Sequence, residues 1–120
     1  MTVVERLRLS PEPSSARAAR QCVESALPAS EAVTLAVLLV SELVTNAILH
    51  ANSDFEVIVH TFDGRIRIEV ADADRRVPAL RNYVAESITG RGLHMVASSA
   101  DRWGFDATPT GKIVWFELEM

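Results

Sequence analysis

Residues 31–51 are the most hydrophobic segment of the chain and contain neither glycine nor proline. A run this long and this rich in Leu, Val, Ala and Ile reads as a helix buried on most of its circumference, so the rest of the chain must supply the layers that cover it. The weakly charged stretch 32–53 is also about long enough to span a bilayer. Ser41, Glu42, Thr45, Asn46 and His50 interrupt it, however, and ionisable groups inside a membrane are costly. The segment is therefore read as a core helix, and no membrane association is expected.

What surrounds this helix is legible from changes of period. Val3, Val4, Leu7 and Leu9 suggest a short first strand, closed by Pro11 and Pro13. Ser14 stands where an N-cap would, and 16–26 suits a first helix ending before Pro28. After Asn52, Ser53 and Asp54 the period becomes two: 55–62 and 65–70 flank Asp63-Gly64, a hairpin signal because both positions of a type I′ turn need positive φ. Residues 73–89 hold only scattered apolar positions and read as a long irregular loop, a feature that tends to be functional. A third helix over 92–99 and a second hairpin, 102–107 with 113–119 around Pro109-Thr110-Gly111, complete the chain. The expected fold class is α+β: a two-layer sandwich of an antiparallel or mixed β-sheet with three helices on one face.

Composition narrows the function classes. The 120 residues suit a single domain, and 48% hydrophobic against 23% charged is the balance of a folded protein. Twelve basic and 16 acidic side chains give a net charge of −4 without a basic block, so direct nucleic-acid binding is not expected. Cys22 is the only cysteine, which excludes an intramolecular disulfide and a cysteine-based zinc site and suits a reducing cytoplasm. The N-terminus does not read as a signal peptide.

Three segments combine polar residues with positions that ought to be buried. Glu42, Asn46 and His50 recur every four residues and share one helical stripe, which either faces solvent or lines a cleft. An Asn oxygen can hold a hard metal ion, and a carboxylate one turn away could orient or deprotonate a nucleophile. Asp72 shares parity with Ile66, Ile68 and Val70, so its carboxylate points to the apolar side and needs hydrogen-bond donors from the protein or a ligand. Gly90-Arg91-Gly92 precedes a helix whose free N–H groups could receive phosphate, although a flexible loop end reads the same way. Gly111-Lys112 is no Walker loop, since position 106 is not glycine, and 90–92 does not follow a strand as a dinucleotide fingerprint requires. His50, His60 and His94 lack metal-like spacing; His60 reads as a surface or satisfied histidine, Lys112 as a solvated lysine, and Trp103, Phe105, Trp115 and Phe116 as core.

Taken in order, ELVTNAILH at 42–50, the strand-end Asp72 and GRGL at 90–93 resemble the N box and the two G boxes of the histidine-kinase-like ATPases, the superfamily with the Bergerat nucleotide fold. GRGLHMVASSADRWG at 90–104, closed by GKIVWFEL at 111–118, is similar to a branch of small stand-alone domains common in actinobacteria: anti-sigma factors with serine/threonine protein kinase activity. The resemblance covers nearly the whole chain and implies ATP and Mg²⁺ as cofactors. It implies that Asn46 coordinates Mg²⁺, that Asp72 accepts from the adenine amine, and that Gly90, Arg91, Gly92 and His50 belong to the nucleotide site. Residues 73–89 would be the ATP lid, and Glu42 would activate a serine hydroxyl. The implied partners are a sigma factor and an anti-anti-sigma protein of the STAS fold, with transcription regulated by partner switching; family members often pair through their sheets as homodimers. One departure stands out: the chain reads Asp72-Ala73-Asp74 where the family usually has Asp-x-Gly. The alternative is a nucleotide-binding protein-interaction module without kinase turnover.

Overall fold

The computed structural model describes residues 1–74 and 92–120, the side chains of 92–94 excepted. Among the described residues, five strands and three helices follow in the order β1 (Thr2–Leu9), α1 (Pro13–Ala26), α2 (Glu31–His50), β2 (Phe55–Phe62), β3 (Arg65–Asp72), α3 (Gly92–Ser99), β4 (Arg102–Thr108) and β5 (Gly111–Glu119). The strands form one sheet in the order β1-β2-β3-β5-β4, antiparallel at every pairing. Of the two sheet types expected, antiparallel is the one found. The expected loop and lid at 73–89 fall outside the described residues from position 75 onward, as do Gly90 and Arg91.

Local chemistry explains the boundaries. The first helix starts at Pro13 rather than at 16, and Ser14 lies inside it. Proline at the first helical position has its φ already set and gives up an N–H that would be unpaired there, so Pro13 opens the helix instead of closing the strand. Glu12 is the N-cap residue and makes no side-chain capping bond. Ser30 caps α2 by accepting from the Val33 N–H at 3.2 Å. At the other end Asn52, at φ 51°, turns the chain out of the helix in the left-handed conformation that asparagine tolerates. Asp63 and Gly64 have φ of 46° and 72°, the two positive values a type I′ hairpin requires.

Alternation along the strands then sorts side chains between two faces. On the inner face Phe55, Val57 and Val59 of β2, Ile66, Ile68 and Val70 of β3, and Val114, Phe116 and Leu118 of β5 are buried together with Val33, Leu39, Val40, Leu43 and Val44 of α2. Ala19 and Val23 of α1 and Val96 of α3 complete this core. Cys22 belongs to it too, and burial, with the Glu5 carboxylate second, pushes its thiol above the ordinary value. Helix α2 is long and apolar enough to cross a membrane by length and composition alone, but here it packs against α1, α3, β3 and β5. Trp103 and Phe105 pack on the core as expected, whereas Trp115, opposite Glu69 in the ladder, lies on the other face of the sheet. His60 is a satisfied histidine, its Nε2 2.8 Å from Glu69 Oε1.

Candidate functional site

Helix α2 carries the polar stripe. Glu42 and His50 are half-buried and each is engaged with neighbouring groups, while Asn46 is only 3% exposed. Both atoms of the Asn46 amide, Oδ1 and Nδ2, lack a hydrogen-bond partner among the described residues. Buried amides in folded proteins are nearly always satisfied, so an orphaned one calls for a ligand, an ion or an ordered water. Among the described residues no group of three or more His, Cys, Asp or Glu could enclose a metal. A divalent ion here could take the Asn46 amide oxygen together with ligand and water oxygens, since Mg²⁺ usually keeps several waters and binds substrate phosphates.

The second centre is at the end of the sheet, where β3 finishes and β5 begins. Asp72 stands directly opposite Lys112 in the ladder, and both side chains point to the core face. The Lys112 Nζ donates to Asp72 Oδ1 at 3.0 Å and to Oδ2 at 3.1 Å, with side chains only 6% and 4% exposed. Asp74 closes the group: its backbone N–H donates to Asp72 Oδ1 at 2.9 Å and its own Oδ2 lies 3.6 Å from the ammonium. Gly111 makes the approach of the two strands feasible, because a Cβ there would collide with the Asp72 carbonyl oxygen and come within 2.7 Å of the Ala73 Cα. Lys112 is thus not a solvated lysine. Its parity with Val114, Phe116 and Leu118 was the signal, since period two alone puts it on the buried face.

A cleft of about 450 Å³ opens at this strand end, lined by Asp72 and Lys112 together with Arg6, Arg8, Asp54 and Glu56 among others. Its charges pair internally, Arg6 with Glu56 at 3.3 Å and Arg8 with Asp54 at 3.6 Å, so it presents no field of one sign to a charged ligand. Gly92, the one member of the glycine pair within the described residues, begins α3, which packs on α2.

The fold thus sets a buried amide, Asn46, on the core helix and a buried carboxylate, Asp72, at the edge of the sheet that this helix covers. Residues 9–118 match the histidine kinase-like ATPase domain family. The chain belongs to that family. Domains of the family bind ATP, generally with Mg²⁺. Among solved structures, this histidine kinase-like ATPase domain is similar to the RsbU and RsbW domains of Rv1364c from Mycobacterium tuberculosis, with a TM-score of 0.70 and 19% identity over 96% of the chain. It is also similar to the histidine kinase domain of the blue-light activated histidine kinase of Erythrobacter litoralis EL346, with a TM-score of 0.55 and 28% identity over 74% of the chain. It spans 32% and 45% of those two chains, respectively. No curated protein matches it in sequence at a significant level.

Proposed function

We propose that this ATPase domain is an anti-sigma factor that binds Mg-ATP and phosphorylates a serine or threonine of an anti-anti-sigma protein of the STAS fold, in the cytoplasm, so that a sigma factor is held or released by partner switching. The observation that carries the reading is the buried Asn46 amide with no partner of its own. Its Oδ1 would hold Mg²⁺, which when bound neutralises the charge of the ATP phosphates during transfer. Asp72, hydrogen-bonded to Lys112, would accept from the adenine amine. The N–H groups at Gly90 and Gly92, where α3 begins, would receive phosphate oxygens, with Arg91 and His50 beside them, and residues 73–89 would close over the nucleotide. Glu42, one turn before Asn46 on the same stripe, would take the proton of the attacking hydroxyl. The similarity to a structure containing an RsbW domain supports the choice of this branch.

Incubation with labelled ATP, Mg²⁺ and a panel of STAS proteins tests the reading. Transfer of label to one of them, lost in Glu42→Ala, is the expected result; transfer that persists in that variant removes Glu42 from the chemistry. A second reading, a nucleotide-switched binding module without turnover, is favoured by one observation: Asp74, in place of the usual glycine, sets a further carboxylate next to Asp72. Under it, calorimetry detects ATP and ADP binding while no STAS protein is labelled.

A further inference from the structure

The pairing at the sheet edge says more about the base than the presence of Asp72 alone. An ammonium group has three N–H donors, and a carboxylate offers about four lone-pair positions. Lys112 spends two donors on the two oxygens of Asp72, and Asp74 Oδ2, at 3.6 Å, is beyond hydrogen-bond length. One donor is therefore left without a hydrogen bond among the described residues, on a residue that is only 5% exposed and has Asp74 Oδ2 as a further ion-pair neighbour. On Asp72, Oδ1 already accepts from Lys112 and from the Asp74 N–H, whereas among the described residues Oδ2 accepts only from Lys112. Among the described residues the edge thus presents one open acceptor and one open donor side by side, 3.1 Å apart. The fold does not require this arrangement, since a buried ion pair is commonly no more stabilising than apolar side chains of the same shape.

We propose that Lys112 is a second base-reading residue, whose remaining N–H donates to N1 of adenine while Asp72 accepts from the neighbouring 6-amino group. The inference rests on the nucleotide-binding reading above and deepens it. Adenine carries its donor and its acceptor on adjacent atoms of one edge, the complement of the Asp72–Lys112 pair. Lys112 also holds Asp72 in place, with a hydrogen bond to each carboxylate oxygen. A lysine that merely filled the pocket would do the opposite, competing with the amine and weakening every adenine nucleotide.

Calorimetric titration with ADP and with 1-deaza-ADP, in which a C–H replaces N1, separates these cases. The wild-type chain should bind ADP roughly tenfold or more tightly than the deaza analogue, the discrimination one charge-assisted hydrogen bond supplies. In Lys112→Met the two nucleotides should bind alike, with the loss falling on ADP. Equal affinities in the wild-type chain, or tighter ADP binding by Lys112→Met, would overturn the proposal while leaving nucleotide binding intact. A wild-type chain that bound neither compound would defeat the nucleotide reading, and this proposal with it. Should Lys112→Met fail to fold, by circular dichroism, the wild-type comparison decides alone.

Discussion

Asn46 illustrates a conflict between stability and use within one side chain. It occupies a helix position next to Ala47 and Val44 that an apolar residue could fill, yet it brings an amide whose two polar atoms are both buried and unsatisfied. Burying such a group costs about 1–3 kcal/mol, so the fold by itself gains nothing from it. Asn46→Ala should accordingly melt within about 1 kcal/mol of the wild-type chain in the absence of nucleotide, the removed polar penalty offsetting the small void. The same variant should lose the Mg²⁺-dependent part of its ATP affinity, measured by titration with and without the metal. A large destabilisation with metal-dependent affinity retained would make Asn46 a structural residue instead.

At the scale of elements, two glycines in two hairpins do different work. Gly64 adopts φ 72° in the β2–β3 turn, and a Cβ there would meet nothing within 4 Å. Gly64→Ala should therefore cost about 1 kcal/mol, the conformational penalty alone. Gly111 is limited by space, its Cβ position overlapping the end of β3. Gly111→Ala should force β5 away from Asp72, cost about 1–3 kcal/mol or more in urea denaturation, and weaken ADP binding, which Gly64→Ala should leave unchanged. Unaltered ADP affinity in Gly111→Ala would show that the contact does not hold the carboxylate in place. The Asp63-Gly64 hairpin was legible because turn type is a local property, as was α2, whose apolar run tolerates no other reading. The start of α1 was not, because Ser14 and Pro13 both signal a helix start and sequence alone does not rank them. Nor was the Asp72–Lys112 pair, which joins residues 40 positions apart through a ladder whose register only the folded sheet determines.

Across the whole molecule the sheet has two faces with different ways of covering apolar surface. Helices cover the inner one. On the outer face a polar network does so: Arg67 donates from Nε to Glu69 Oε2 at 2.9 Å and from Nη1 to Glu117 Oε2 at 2.8 Å, and His60 Nε2 lies 2.8 Å from Glu69 Oε1. The Arg67 guanidinium stands 4.0 Å from the centre of the Trp115 ring, which itself lies over Gly104 where a Cβ would come within 2.7 Å of it. These charged side chains are 6–16% exposed, so their energetics are those of a mostly buried cluster. Burial is the largest influence on Glu69 and would raise its pKa, but the hydrogen bonds and charges of His60 and Arg67 together outweigh it and hold the carboxyl below the ordinary glutamate value. A carboxyl whose pKa is lower folded than unfolded binds fewer protons in the native state, so its contribution is complete above the unfolded value of about 4.3 and disappears as pH falls through the lower folded value. Glu69→Gln removes that linkage while keeping an acceptor for Arg67. The variant should be less stable by about 1–3 kcal/mol at pH 7, and the difference from the wild-type chain should shrink as the pH is lowered below about 4.3. Urea denaturation of both chains across this range decides the matter: a difference that stays constant with pH would mean that Glu69 contributes shape and hydrogen bonding to the outer face, and no charge.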